Sequence, residues 1–394
     1  MQGNIEKLVT LAQEGNWYLV NQCLQQISWN KPVELEKVLH SSLQVLRFGD
    51  FRERWEVAKI IPKLGKVVIQ PLLLIVEDEE ADVEVRWFAV RILGEFNEPQ
   101  IIISLADLMQ KTAEEDLIAI AGSTLSNIGD SAIVALGKLL ADEKLRFLAV
   151  KSLSQIRRSS IIKPLIGVVD DMNPKVRAIA IETLGSFQHE ELIPIFIKAL
   201  KDTSSSVRKE AVIALGMRGK FKVQFDLVER LKPLLYDLNL EVSRQSAIAL
   251  GRMKDEEGIE GLFQVLKAEN TPILLKKEVI RVLGWDGSRQ ALIYLEKILY
   301  PQKSQLEQEE LSQEIVKVLG NQELPQLKFQ SAQILINFLH SEQKTASISR
   351  IKQAVAISLG VLQDASAIPS LEQLASDSEK IVRLHAIAGL KKLN

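Results

Sequence analysis

A chain of 394 residues that is 46% apolar and 25% charged has too much hydrophobic content to stay disordered, and only 5% aromatics, which disfavours a β-sandwich or barrel against packed helices. The formal charge of −2 supplies no global field for nucleic acid or an anionic membrane. Cys23 is the sole cysteine, so an internal disulfide and a thiolate metal cluster are both excluded.

The first residues, Met1-Gln-Gly-Asn-Ile-Glu-Lys, lack the basic start and apolar centre of a secretory signal. The longest strongly apolar stretch, Val67–Val76, is interrupted by Gln70 and Pro71 and is too short to span a bilayer. The expectation is a soluble cytoplasmic protein. Residues 1–50 read as two amphipathic helices. Ile5, Leu8, Val9, Leu11 and Ala12 mark one face, continued by Val20, Leu24 and Ile27 beyond a break at Gly15-Asn16; Leu35, Val38, Leu39, Leu43 and Leu46 mark the other. With Trp17, Tyr18 and Trp29, this segment is expected to be an N-terminal cap, since the end of a repeat array must cover its first exposed core.

From residue 51 to 394 one pattern recurs. Val85-Arg-Trp-Phe-Ala-Val-Arg-Ile-Leu-Gly94, Val176-Arg-Ala-Ile-Ala-Ile-Glu-Thr-Leu-Gly185 and Val207-Arg-Lys-Glu-Ala-Val-Ile-Ala-Leu-Gly216 are its clearest copies. The closing position falls at Gly65, Gly94, Gly129, Ser154, Gly185, Gly216, Gly251, Gly284, Gly320, Gly360 and Lys391, on average about 33 residues apart, the period of a two-helix solenoid repeat. A first helix, often started by proline as at Pro71, Pro164, Pro194, Pro233 and Pro369, leads through an acidic turn to a second helix. There Val176, Ala180 and Leu184 share one face, and the final glycine is expected to stop the helix in the left-handed conformation.

Asp171 and Arg177, Asp202 and Arg208, Asp377 and Arg383, and Glu80 and Arg86 are each six apart. A turn carboxylate and an arginine in the next helix's first turn can bond within or between repeats, giving a structural ladder along the stack. The pattern Asp-x5-Arg with Val-Arg-x-x-Ala-(Ile/Val)-x-x-Leu-Gly resembles HEAT repeats, and more narrowly the short HEAT-like repeats of phycobilisome (bilin) lyases. The resemblance implies an all-α fold, a right-handed α-solenoid of about ten to eleven two-helix repeats over 51–394 behind the 1–50 cap. It implies a cyanobacterial setting and either a part in phycobilisome assembly or turnover or a bilin lyase-like handling of chromophore. No residue here corresponds to a catalytic residue of that family.

Other chemistry is not legible. His40, His189, His340 and His385 are scattered, and no phosphate-loop, dinucleotide or nucleophile-elbow motif occurs. The acidic run Glu77–Glu84 lacks the glycine and ligand spacing of a calcium loop. Basic clusters at Arg157, Arg158 and Lys163 and at Arg218, Lys220 and Lys222 are short and separated by acids, which argues against a nucleic-acid groove. Neither a cofactor nor a metal is expected. On each second helix the positions seven and three before the closing residue share a face away from the core; they include Trp87, Arg91, Lys209, Arg244, Lys277 and Arg281. Cations beside an aromatic suit a protein-binding face. The reading is therefore a non-enzymatic scaffold that grips a protein partner along this face, the concave one by the resemblance to HEAT-like solenoids, the partner being a phycobiliprotein or other protein complex, with a bilin lyase-like activity as the alternative.

Overall fold

A computed structural model describes residues 2–26, 35–300 and 308–393. The Ile5 side chain, Ile27, Trp29 and residues 301–307 lie outside the described residues. The chain divides into two compact units, Met1–Leu184 and Gly185–Asn394. Among the described residues every regular element is helical.

In the first unit the α-helices are α1 Gln2–Gln13, α2 Trp17–Gln25, α3 Leu35–Phe48, α4 Phe51–Ala58, α5 Ile69–Glu77, α6 Val83–Leu93, α7 Pro99–Lys111, α8 Glu115–Ile128, α9 Ile133–Leu139, α10 Arg146–Gln155, α11 Ile162–Ile166 and α12 Pro174–Gly185, the last ending at the boundary. The second holds α13 Ile193–Ala199, α14 Ser205–Gly216, α15 Leu227–Leu231, α16 Leu240–Met253, α17 Glu256–Lys267, α18 Ile273–Asp286, α19 Arg289–Leu299, α20 Gln308–Gly320, α21 Pro325–Leu339, α22 Ser349–Leu362, α23 Ile368–Leu374 and α24 Lys380–Leu393. From α5 onward odd and even helices are the first and second members of successive pairs. This is an α-solenoid.

The N-terminal segment contains three helices, one more than its periodicity predicts, because Gly15 turns the chain at φ +69° and Asn16 caps α2 by accepting from Leu19 N at 3.2 Å. Trp17 stacks on Phe48 with ring centroids 5.9 Å apart, tying α2 to α3. In the repeats Val85, Ala89 and Leu93, then Val176, Ala180 and Leu184, then Val207, Ala211 and Leu215 are buried, as their spacing on a helix requires.

The recurrent glycine does a different job from the one its position suggests. Only Gly65 and Gly129 among the closing glycines have positive φ, at +77° and +83°. Gly216, Gly251, Gly284, Gly320 and Gly360 lie inside right-handed helix, where the neighbouring second helix comes too near for a side chain. A methyl group on Gly251 would sit 2.2 Å from Val282 Cγ1, and one on Gly360 2.6 Å from Gly389 Cα. Left-handed helix ends are made instead by Lys254, Gln363 and Gly287.

One stretch, Glu115–Leu139, is long and apolar enough to match a membrane span, but the positive φ of Gly129 breaks it into α8 and α9, and Leu117, Leu125, Leu136 and Leu139 are buried within the first unit.

Candidate functional site

The turn aspartates Asp171, Asp237 and Asp377 each hold two parts of the stack with one carboxylate. Oδ1 of Asp171, Asp237 and Asp377 accepts from the backbone N–H two residues on, at 2.7, 2.8 and 2.9 Å, which fixes the turn ahead of the second helix. The same carboxylate accepts from a cation of the preceding repeat: Arg146 reaches Asp171 at 2.8 Å, Lys352 reaches Asp377 at 2.8 Å, and Arg208 bonds both oxygens of Asp237 at 2.7 Å. The arginine six residues after the aspartate bonds backbone rather than that carboxylate. Arg177, Arg208 and Arg383 donate to the carbonyls of Asp171, Asp202 and Asp377 at 2.7, 2.8 and 2.8 Å. The ladder thus runs inside a repeat through carbonyls and between repeats through carboxylates. Hydrogen bonding to Arg208 holds the Asp237 carboxyl below its usual range against the opposing effect of burial, and the same bond pushes Arg208 up.

Glu80 does not take the expected place in this ladder. Arg86 is buried and donates from Nε to the Val76 carbonyl at 3.1 Å, while Asp78, not Glu80, accepts from the turn's backbone, at Glu80 N, 3.1 Å. Two extra residues in that acidic turn shift the carboxylate out of the six-residue spacing.

The stripe of the second helices, half-buried at Trp87, Lys209, Arg244, Lys277 and Arg281 and exposed at Arg91, falls into two kinds of surface. On α16 and α18 the cations Arg244, Lys277 and Arg281 are engaged by neighbouring carboxylates. Arg244 bonds Glu278 at 2.9 Å and Glu241 at 3.1 Å; Arg281 bonds Glu314 at 2.6 Å and lies 3.8 Å from Glu278; Lys277 pairs with Glu310. Lys209 lies 2.9 Å from Glu210. Glu278 is buried between two arginines, and its bond pushes Arg244 up. The Arg244–Glu278, Lys277–Glu310 and Arg281–Glu314 pairs link one repeat to the next, a use that the cations alone did not reveal because these partners lie about one repeat period further along the chain.

On α4 and α6 the arrangement is open. The Arg91 guanidinium lies 4.3 Å from the centroid of Trp55 and 5.8 Å from that of Trp87. Trp87 meets Phe88 edge-on at 5.2 Å, and Phe51 stacks on Trp55 at 6.2 Å. Both tryptophans are half-buried, Arg91 and Phe51 are exposed, and among the described residues no carboxylate pairs with Arg91. Trp55 and Phe51 could not be singled out by repeat position because they precede the first clear repeat copy.

The basic cluster after α14 serves helix ends. Arg218, 1% exposed, donates to the carbonyls of Ala214, Gly185 and Phe187, and Lys222 donates to those of Met253 and Lys254 while pairing with Asp255 at 3.0 Å. Gln322 repeats the device on the Gly284 and Val318 carbonyls at 3.2 and 3.3 Å. Arg218 and Gln322 each stand two residues after a closing glycine, a regularity the sequence displays. Among the described residues no group of three or more His, Cys, Asp or Glu side chains is placed to hold a metal.

Residues 162–232 match the family model for HEAT repeats. That stretch carries HEAT repeats. A solved structure of a Kap121p mutant is similar in fold, with a TM-score of 0.60 at 12% identity, covering 100% of this chain and 50% of that one. Weaker likenesses, at 20% identity, are to an engineered protein (TM-score 0.37, 99% of this chain and 98% of that one) and to human deoxyhypusine hydroxylase in complex with glycerol (TM-score 0.30, 76% and 98%). No curated protein matches the sequence.

Proposed function

We propose that the protein is a non-enzymatic scaffold that binds a protein partner along the stripe of its second helices, anchored at Trp55, Trp87 and Arg91. The observation that carries this reading is the Arg91 guanidinium set between two half-buried indoles with no carboxylate, among the described residues, to neutralise it. Aromatic and arginine side chains held in place before binding lose little entropy on association, which is why they dominate interface energetics. Arg244, Lys277 and Arg281 of the second unit are already ion-paired and serve the stacking of that unit's repeats. Proteins captured from native extract by the wild-type chain and lost with Trp87→Ala/Arg91→Ala would be the specific partners; unchanged capture by that variant would sink the assignment of the anchor.

A second, narrower reading rests on the resemblance of the repeats to those of phycobilisome lyases: the partner is a phycobiliprotein, met during phycobilisome assembly, turnover or bilin handling. Coexpression with bilin-synthesis enzymes and a phycobiliprotein subunit tests it. A colourless protein with no effect on chromophore attachment and no retention of the subunit removes this reading and leaves the broader one intact.

A further inference from the structure

Arg86 is a rung of the first unit whose cation meets a turn without an aspartate. The next turn reads Lys111-Thr112-Ala113-Glu114, and Thr112 stands where Asp171 stands for Arg146. Thr112 replaces one of the two aspartate oxygens, since its Oγ1 accepts from Glu114 N at 3.1 Å, as Asp171 Oδ1 accepts from Asn173 N at 2.7 Å. It has no second oxygen to give the arginine. Arg86 is 7% exposed, its Nε is held by the Val76 carbonyl, and among the described residues Nη1 and Nη2 have no hydrogen-bond partner. Those nitrogens belong to a guanidinium that lines a cavity of about 440 Å³ between α5 and α7. A comparable groove lies beside Arg146, but there Asp171 already occupies the guanidinium at 2.8 Å.

We propose that the cavity beside Arg86 is a binding site for a carboxylate, which completes the ladder in place of the missing aspartate. A recessed guanidinium whose two unpaired donors open onto the cavity is matched in charge and geometry by a carboxylate's two oxygens. The wall also carries Glu77, Glu79, Asp107 and Glu114 against the single further cation Lys111, so a bare anion would meet net repulsion. The ligand therefore carries a cationic group next to its carboxylate, which the acidic wall receives. Two sources have this chemistry: an Asp or Glu side chain adjoining a basic residue in a peptide, and a free amino acid. The site is separate from the Trp55–Trp87–Arg91 surface, and its test does not depend on that surface.

The test is saturation-transfer NMR on the full chain with N-acetyl-Asp-Lys-amide, its Asn-Lys counterpart and free L-lysine. The Asp peptide is expected to bind about tenfold or more tightly than the Asn peptide, the order of one charge-assisted pair. Binding should vanish in Thr112→Asp, which supplies the ladder carboxylate internally and should melt no lower than the wild type. L-Lysine binding as tightly as the Asp peptide identifies a free amino acid as the ligand; binding of the peptide alone identifies a protein side chain. Equal binding of the Asp and Asn peptides, no binding of any probe, or undiminished binding in folded Thr112→Asp overturns the proposal. Should Thr112→Asp fail to fold, the Asp-to-Asn comparison on the wild type decides alone.

Discussion

A methyl group at Gly251 illustrates how a neighbouring helix reverses a local preference. Alanine is the better helix former by about 1 kcal/mol, so within α16 alone Gly251→Ala should stabilise. The added carbon would lie 2.2 Å from Val282 Cγ1 of α18, and overpacking of this kind costs about 1–3 kcal/mol. The clash wins, and we expect Gly251→Ala to lower the free energy of unfolding by about 1 kcal/mol. Gly137→Ala in α9, where nothing lies within 4 Å, should instead raise it by about 0.5–1 kcal/mol. Denaturant titration of the two variants separates packing from propensity, since a stabilised Gly251→Ala would mean that the helices do not approach as described. The sequence displayed these glycines at the right period and concealed their reason. Positive-φ glycines follow Leu64 and Ile128 and close-packing ones follow Leu, so the preceding residue hardly separates them; what distinguishes them is the residue opposite, about one repeat further on.

Between elements, the turn aspartates matter most, because Asp171, Asp237 and Asp377 each fix the turn ahead of a second helix and anchor the preceding repeat. Asp237 is held below its ordinary range in the folded chain by Arg208, so its contribution is complete above the unfolded value of about 4 and is lost as pH falls through the lower folded value. Asp237→Asn should cost about 3 kcal/mol at neutral pH, the order seen when one member of a mostly buried pair is removed. That deficit should shrink as pH is lowered below about 4, where the wild type surrenders the same interaction. Denaturation midpoints at pH 7 and pH 3 read this directly, and a deficit independent of pH would contradict it. The regular six-residue spacing from Asp to Arg made the ladder visible in the sequence. Its wiring was not visible, since whether Arg208 meets the carbonyl of Asp202 or the carboxylate of Asp237 depends on the separation of helix pairs. Glu80 shows the limit of spacing alone, for two extra turn residues hand its role to Asp78.

At the scale of the molecule, the helix pairs, their period and their buried faces were legible because stacking imposes the same apolar positions on every copy. The candidate site was legible only in part, because a binding surface consists of what the copies do not share. Trp87 and Arg91 could be named from their face of the helix, whereas Trp55 joins them from α4, ahead of the first clear repeat copy, and the cations of α16 and α18 are neutralised by Glu278, Glu310 and Glu314. A partner footprint centred on α4 and α6 in the first unit is therefore expected. Hydrogen–deuterium exchange of the full chain, alone and with a partner captured from native extract, measures that footprint. Protection at α4 and α6 that is lost in Trp87→Ala/Arg91→Ala is the expected result; protection confined to first helices such as α7 and α9, unchanged in that variant, would contradict it.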